Sequence, residues 1–172
     1  MINANADAMG IIFPNNYDKF VPELVSERLM ASIPFASRYR MIDFLLSSMV
    51  GCGIDKIEVL VRENYHSLVD HLGGGRECKN GGLSIFPPFA QKSIGSMGGG
   101  RVEALANILP VLKKQKEKYV IMADTNIAAN FDFNALIAQH VKTDADITFA
   151  YTKEELPQEL TGAKDASKGL YY

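Results

Sequence analysis

The sequence predicts an α/β fold in which a mostly parallel sheet is flanked by helices. Short apolar runs predict strands, and they alternate with segments whose apolar residues recur every three or four positions, which predicts helices. The predicted strands are 9–13, 54–61, 119–123 and 145–151, and the predicted helices are 38–52, 64–72, 101–117 and 134–141. Strands that alternate with helices of about ten residues are typical of βαβ units in a doubly wound sheet.

Composition and charge restrict the classes of function. The 172 residues are 47% apolar and 22% charged, with a formal net charge of −2, which is typical of a soluble globular protein. Nucleic acid is not an expected partner, because no basic stripe suited to a polyanionic backbone is visible. The short basic run at 113–116 stands on a helical pattern before Glu117, which favours a solvated helix face. A membrane is not expected either, since no window approaches the roughly 18 apolar residues of a membrane span.

The cysteines and the N-terminus indicate the compartment. Cys52 and Cys78 have neither a CxxC spacing nor a neighbouring His, so they predict free thiols rather than a disulfide framework or a zinc site. Residues 1–5 contain neither the basic region nor the long apolar segment of a signal peptide. We therefore expect a cytoplasmic protein.

Two long irregular segments are candidates for ligand binding. Residues 14–28 show no clear period, and residues 73–100 are rich in Gly and Pro. Ligands of open α/β sheets bind outside the carboxyl ends of the strands. We therefore expect a site that combines the loop after strand 9–13, the triple glycine at 98–100 and the segment after strand 119–123.

The C-terminal segment predicts that the chain is a fragment. Residues 153–168 are polar, and residues 169–172 have the pattern of a strand that is just beginning. Because both faces of a parallel sheet need to be covered, we expect one domain over 1–172 that is incomplete at its C-terminus.

A thirteen-residue segment carries a family resemblance. Residues 32–44, Ser-Ile-Pro-Phe-Ala-Ser-Arg-Tyr-Arg-Met-Ile-Asp-Phe, resemble the motif A-V-P-F-G-G-K/R-Y-R-I-I-D-F of glucose-1-phosphate adenylyltransferases. Further similar motifs follow in the family's order, namely Leu46-Ser47 with Gly53-Ile54 (L-S-N…S-G-I), His66-Ser67-Leu68 with His71 (H-S-L-x-x-H), 100–105 (G-T-A-D-A-V) and 130–133 (K-M-D-Y). Since these matches extend over almost the whole chain, the sequence is identified as a member of this family.

The resemblance implies a fold and a reaction. The fold is a nucleotidyltransferase-type, Rossmann-like sheet, which the family follows with a C-terminal β-helix that is absent from this sequence. The family transfers an adenylyl group from ATP to glucose 1-phosphate and releases pyrophosphate. A glycine-rich loop, cationic side chains and an Asp that holds Mg²⁺ accommodate the phosphate charges in such a reaction.

The sequence departs from the family's pattern at three places in this constellation. The loop G-G-x-G-x-R-L is replaced by residues 14–20, which include Lys19 but no glycine. Met30 stands where R-A-K-P-A-V-P-F has a basic residue, and Asn126 stands where G-D-H/Y has the metal-binding Asp. These departures resemble the GlgD-type branch, which implies a regulatory, poorly catalytic subunit of glycogen biosynthesis that pairs with a catalytic GlgC-type subunit.

The resemblance also provides candidates for ligand contact. The candidates for binding nucleotide or sugar phosphate are Gly100, Arg101, Glu103 and Asn126. Arg38 and Arg40 are regulatory candidates, because the family has at the position of Arg38 a basic residue linked to allosteric sugar phosphates. Mg²⁺ is the implied cofactor, and Asp124 is the remaining metal candidate, since it would share a face with Asn126 on an extended strand.

Each of these features also fits a simpler structural role. The triple glycine is typical of a flexible loop, Glu103 of a first-turn acid that favours the helix dipole, and Arg38 and Arg40 of surface charges next to Asp43. Two further functions stay open as well. One is an active adenylyltransferase that uses Asp124 for its metal, and the other is an oligomerisation partner that binds no ligand.

Overall fold

Four parallel strands form the sheet in a computed structural model of the protein, which describes residues 7–14, 18, 21–73, 82–86 and 101–151. The strands in chain order are β1 (Ala8–Phe13), β2 (Pro34–Phe35), β3 (Tyr39–Arg40), β4 (Ile57–Leu60), β5 (Leu83–Phe86) and β6 (Tyr119–Asp124). The helices are α1 (Met41–Gly51), α2 (His66–Leu72), α3 (Arg101–Leu112) and α4 (Phe133–Thr143). The order of the sheet is β5-β4-β1-β6, and β2 and β3 form a separate antiparallel hairpin. The predicted parallel α/β architecture is therefore confirmed.

Strand β1 lies inside the sheet, between β4 and β6, and all six of its residues are buried. Gly10 lets α1 approach this strand closely, because a Cβ at position 10 would lie 2.7 Å from the Met49 Sδ. On the opposite face, α3 covers a cluster of buried apolar side chains. Its members are Met9, Ile11, Phe13, Leu60 and Ile108.

Helix α1 ends as the sequence predicts. The Gly53 N–H donates to the Val50 carbonyl and the Ile54 N–H donates to the Met49 carbonyl, both at 3.0 Å. This pair of bonds satisfies carbonyls left open at the end of the helix. Gly53 has a φ of 81°, a left-handed conformation that glycine adopts at little cost.

Helix α3 is shorter than predicted. It ends at Leu112 rather than near residue 117. Pro110 lies within its last turn and cannot donate a backbone hydrogen bond, which weakens the helix at this point. The chain therefore leaves the helix before the charged run that begins at Lys113.

Three other predictions were wrong in detail. Helix α2 begins at His66 rather than at residue 64, and the Asn64 side chain donates to the Val25 carbonyl at 3.4 Å. Strand β5 was not predicted, because its four residues stand between Gly and Pro pairs that favour loops. The segment 145–151 is not a strand, since it pairs with no strand in the described part of the chain. Its large apolar side chains, Ile147, Phe149 and Tyr151, are at least 70% exposed.

The chain divides into two compact units, Met1–Asn134 and Ala135–Tyr172. The first contains the sheet and α1 to α3. In the second, the Nδ1 of His140 lies 2.8 Å from the Thr148 Oγ1, which connects α4 to the segment that follows it. The single domain over 1–172 stays a prediction.

Candidate functional site

The carboxyl ends of β1 and β6 form the edge at which a ligand site is expected. Strand β4 is the next strand of this sheet along the chain and pairs on one side of β1, whereas β6 pairs on the other side. The direction of strand addition therefore reverses between β1 and β6. Doubly wound sheets bind their ligands at such a reversal. Phe13 and Asp124 are register partners at this edge.

Asp124 forms an ion pair with Arg101 at this edge, between its Oδ2 and the guanidinium Nη2. The Asp124 side chain is only 16% exposed, whereas that of Arg101 is 48% exposed. The guanidinium carbon also lies 6.0 Å from the centre of the Phe13 ring, a distance at which a cation and an aromatic face attract each other. The first residue of α3 is therefore held against the ends of both β1 and β6.

Asn126 lies beyond the strand rather than on it. Strand β6 ends at Asp124, and Thr125 and Asn126 form a bend. The expectation that Asp124 and Asn126 share the face of an extended strand is therefore wrong. Thr125 is buried and Asn126 is half-buried. The structure thus places Asn126 near the edge, but without the alternation that would align it with Asp124.

Other predicted contact residues lie partly outside the described chain. Gly100 and Lys19 are outside the described residues, as are Cys78 and most of the loop 14–20. Glu103 is half-buried in the first turn of α3. Of the four predicted ligand contacts, the structure describes Arg101, Glu103 and Asn126.

Met30 begins a 3-10 turn, Met30–Ser32, and its side chain is half-buried. Its backbone N–H donates to the Oδ1 of Asp18 at 2.8 Å. The Asp18 side chain therefore contacts the backbone of the turn that contains Met30. An apolar thioether at this position cannot pair with a phosphate charge.

The two regulatory candidates have different environments. Arg40 donates through Nη1 to the Ser32 carbonyl and, at 3.2 Å, to the Ser67 Oγ, so its side chain links two segments of the protein. Arg38 is exposed in the turn between β2 and β3. The structure thus gives Arg40 a structural contact and leaves Arg38 accessible to a ligand.

The side chains present at the edge do not fit a Mg²⁺ site. Protein sites for this ion use carboxylates and other oxygen ligands in near-octahedral geometry. Here the Asp124 carboxylate pairs with a guanidinium, and Asn126 offers a neutral amide. Within the described ranges, no group of three or more His, Cys, Asp or Glu side chains is placed to hold a metal ion.

The ion pair of Arg101 and Asp124 was not predicted, although both residues were candidates. The signal for it was present in the sequence. Arg101 follows a triple glycine that precedes a helix, and Asp124 ends a buried strand, so the topology brings both residues to one edge of the sheet.

A parallel sheet with this order, in which strand addition reverses at β1, defines a doubly wound α/β domain. The profile of the nucleotidyl transferase family matches residues 23–161, and the chain belongs to that family. A solved structure from Bacillus anthracis, described as a putative glucose-1-phosphate thymidylyltransferase in complex with a sucrose, has the same fold. Its TM-score is 0.61 at 15% identity, over 78% of this chain and 50% of that one.

Curated relatives give a narrower comparison. The chain is 34% identical to the glycogen biosynthesis protein GlgD of Geobacillus stearothermophilus, over 84% of this chain and 43% of the relative. It is 30% identical to the GlgD of Bacillus subtilis, over 98% of this chain and 50% of that protein. A glucose-1-phosphate adenylyltransferase of Thermomicrobium roseum is 32% identical, over 74% of this chain and 31% of its own length. The chain thus spans half or less of these relatives.

Among the described residues, no helix is long and apolar enough to cross a bilayer.

Proposed function

We propose that this chain is part of a regulatory subunit of glycogen biosynthesis, one that resembles glucose-1-phosphate adenylyltransferase but makes little or no ADP-glucose itself. The proposal is carried by the side chains at the carboxyl edge of β1 and β6. There, Asp124 pairs with Arg101, and Asn126 stands where the family motif has an acid. The similarity to two proteins named GlgD, at 34% and 30% identity, supports the pathway.

Weak catalysis follows from the charges that adenylyl transfer requires. Attack of a sugar phosphate on ATP brings several negative charges together, and preorganised cations must neutralise the charge that develops. Met30 is apolar, Asn126 is neutral, and the positive charge of Arg101 is directed to Asp124. Loss of one preorganised contact reduces turnover by about 10²–10³, so several losses together leave almost no activity.

The partner in this proposal is a catalytic GlgC-type adenylyltransferase subunit in the cytoplasm. A nucleotidyl transferase fold without a working site still offers surfaces to a related subunit. The exposed turn that contains Arg38 is available to a sugar phosphate that regulates the complex. ATP and sugar phosphates are thus the ligands to test.

Pyrophosphate exchange with radiolabelled substrate tests the proposal. The full-length protein should show exchange at least a hundredfold slower than an active family member, and it should change the substrate affinity or maximal rate of the catalytic subunit when the two are mixed. Exchange within tenfold of an active enzyme would support the alternative of a working adenylyltransferase. A complex in gel filtration with no change in kinetics would support an oligomerisation partner without regulatory function.

A further inference from the structure

The ion pair between Arg101 and Asp124 bears on the metal that the fold family implies. Asp124 is the acidic side chain at the end of β6, and its carboxylate is mostly buried. The group that meets its Oδ2 is the Arg101 guanidinium. A cation from the protein itself therefore pairs with the carboxylate that a divalent cation at this edge would need.

Arg101 is held in this place by more than one contact. It is the first residue of α3, whose Ile108 is anchored in the core cluster below. Its guanidinium also lies 6.0 Å from the centre of the Phe13 ring at the end of the neighbouring strand. The backbone and the ring thus favour the orientation in which the guanidinium meets Asp124.

We propose that Arg101 is an internal counter-ion that excludes Mg²⁺ from this edge. A guanidinium and a divalent cation compete for one carboxylate and repel each other at short range, and that repulsion is stronger where side chains are partly removed from water. Asn126 adds no charge that would shift the balance toward the metal. The inference rests on the proposed function, and it names the residue that keeps the edge from holding a catalytic ion.

Repair of the metal site should need two substitutions. Restoring an acid by Asn126→Asp is not sufficient, since Arg101 continues to neutralise Asp124. Removal of Arg101 is also needed, and Thr is the natural choice because the resembling motif G-T-A-D-A-V has Thr at this position. The effects of the two substitutions on metal affinity should therefore be strongly non-additive.

The test measures Mn²⁺ affinity, because Mn²⁺ prefers the same oxygen ligands as Mg²⁺ and its free and bound forms are distinguished by electron paramagnetic resonance. The full-length protein, Asn126→Asp, Arg101→Thr and the double variant are titrated with Mn²⁺ alone. We expect the double variant to bind at least about tenfold more tightly than Asn126→Asp, since the guanidinium no longer competes for Asp124 and a second carboxylate stands two residues further along the chain. Asn126→Asp alone should bind nearly as weakly as the unmodified protein.

Two controls separate the local effect from net charge and from misfolding. Lys118→Thr with Asn126→Asp also removes one positive charge, but from an exposed side chain that pairs with Asp7 at 3.7 Å, and it should not tighten binding. Arg101→Gln with Asn126→Asp removes the charge but retains an unbranched polar side chain of good helix propensity, in case Thr disturbs the start of α3. It should tighten binding like the double variant. Circular dichroism checks the fold of each variant.

The proposal is overturned if Asn126→Asp alone binds Mn²⁺ as tightly as it does when combined with Arg101→Thr and with Arg101→Gln. It is also overturned if Lys118→Thr with Asn126→Asp tightens Mn²⁺ binding as much as the variants that replace Arg101. The titration contains neither substrates nor a partner subunit. A protein that proves to be catalytic or non-regulatory in the exchange assay therefore leaves this result unaffected, and the two failures can be distinguished.

Discussion

The Nε2 of His71 in α2 lies 2.7 Å from the Oδ1 of Asp43 in the first turn of α1. The other carboxylate oxygen of Asp43 accepts the Arg40 backbone N–H at 2.8 Å, which satisfies a donor at the start of the helix. One carboxylate thus joins the start of α1 to the end of α2. Both residues belong to motifs by which the sequence resembles its family, and the structure gives them a stabilising role.

Asp43→Ala is expected to lower the free energy of unfolding by about 2 kcal/mol, because it removes a charge-assisted hydrogen bond and a helix cap together. Asp70→Ala is the matched control, since Asp70 is an exposed acid on α2, and its effect should remain within about 0.5 kcal/mol. Urea unfolding of the full-length protein, followed by circular dichroism, measures both. Equal effects would contradict the role assigned to Asp43.

The turn between β2 and β3 contains two consecutive non-glycine residues with positive φ, Ala36 at 47° and Ser37 at 70°. The family motif has Gly-Gly at these positions. A left-handed conformation costs a non-glycine residue about 1–2 kcal/mol. Substitution by glycine removes this cost, but part of the stabilisation is lost because glycine is more flexible in the unfolded chain. Ser37→Gly should therefore raise stability by roughly 0.5–1 kcal/mol.

Ser47→Gly provides the opposite control in the same unfolding experiment. Ser47 is exposed within α1, where glycine destabilises a helix. This variant should lose roughly 0.5 kcal/mol. A loss of stability in Ser37→Gly as well would mean that the turn carries no strain.

Glu58 lies in β4, 3% exposed, and its Oε2 has no hydrogen-bond partner. Burial raises the pKa of this carboxyl above its ordinary value, and the nearby Glu117 adds to the rise, whereas a hydrogen bond with Ser84 and the charge of Lys56 oppose it. A raised pKa in the folded state means that stability is lost as the pH rises from the ordinary value of about 4.3 through the folded value.

Glu58→Gln should remove this loss, because an amide does not ionise. The variant should be more stable than the unmodified protein by roughly 1 kcal/mol at pH 8, and the difference should shrink toward pH 4. Urea unfolding from pH 4 to pH 8 measures it, with the exposed Glu63→Gln as the control that should show no such trend. A pH-independent difference would contradict the assignment.

Because Arg40 makes contacts within the protein and Arg38 is exposed, we expect Arg40 to contribute to stability and Arg38 to ligand binding. Arg40→Lys should lower the free energy of unfolding by about 1 kcal/mol, because lysine cannot reproduce the planar donors that reach Ser32 and Ser67. Arg38→Ala should leave stability unchanged and weaken the binding of fructose 1,6-bisphosphate. Isothermal titration calorimetry measures that binding, and unchanged affinity would remove Arg38 from the regulatory candidates.

Much of the fold could be predicted because its signals are local. The buried runs of β1 and β6, and the three- to four-residue periods of α1 and α3, depend on neighbouring residues in the sequence. The signal was insufficient where an element depends on a distant partner. Strand β5 is four residues long and became a strand through pairing with β4, whereas the segment 145–151 has a strand pattern but no paired strand among the described residues.

In the candidate site, too, residue identities follow from the sequence, whereas the positions of the side chains depend on distant partners. Residue types at Met30 and Asn126 are read directly from the sequence, so the proposed loss of a basic residue and of an acid rests on the sequence alone. The place of each side chain could not. Asn126 follows the end of β6 in a bend, and Arg40 is committed to Ser67, a residue 27 positions away.

The sequence by itself determined the parallel α/β architecture, the family and the residue types available at the edge, because these depend on residue identity and local periodicity. Only the tertiary structure decided which charges meet. Arg101 and Asp124 are 23 positions apart, and they form a pair because β6 adds next to β1 while α3 begins at the same edge. Electrostatic energy depends on distance in space, so the partner of a charge is established only when the chain has folded.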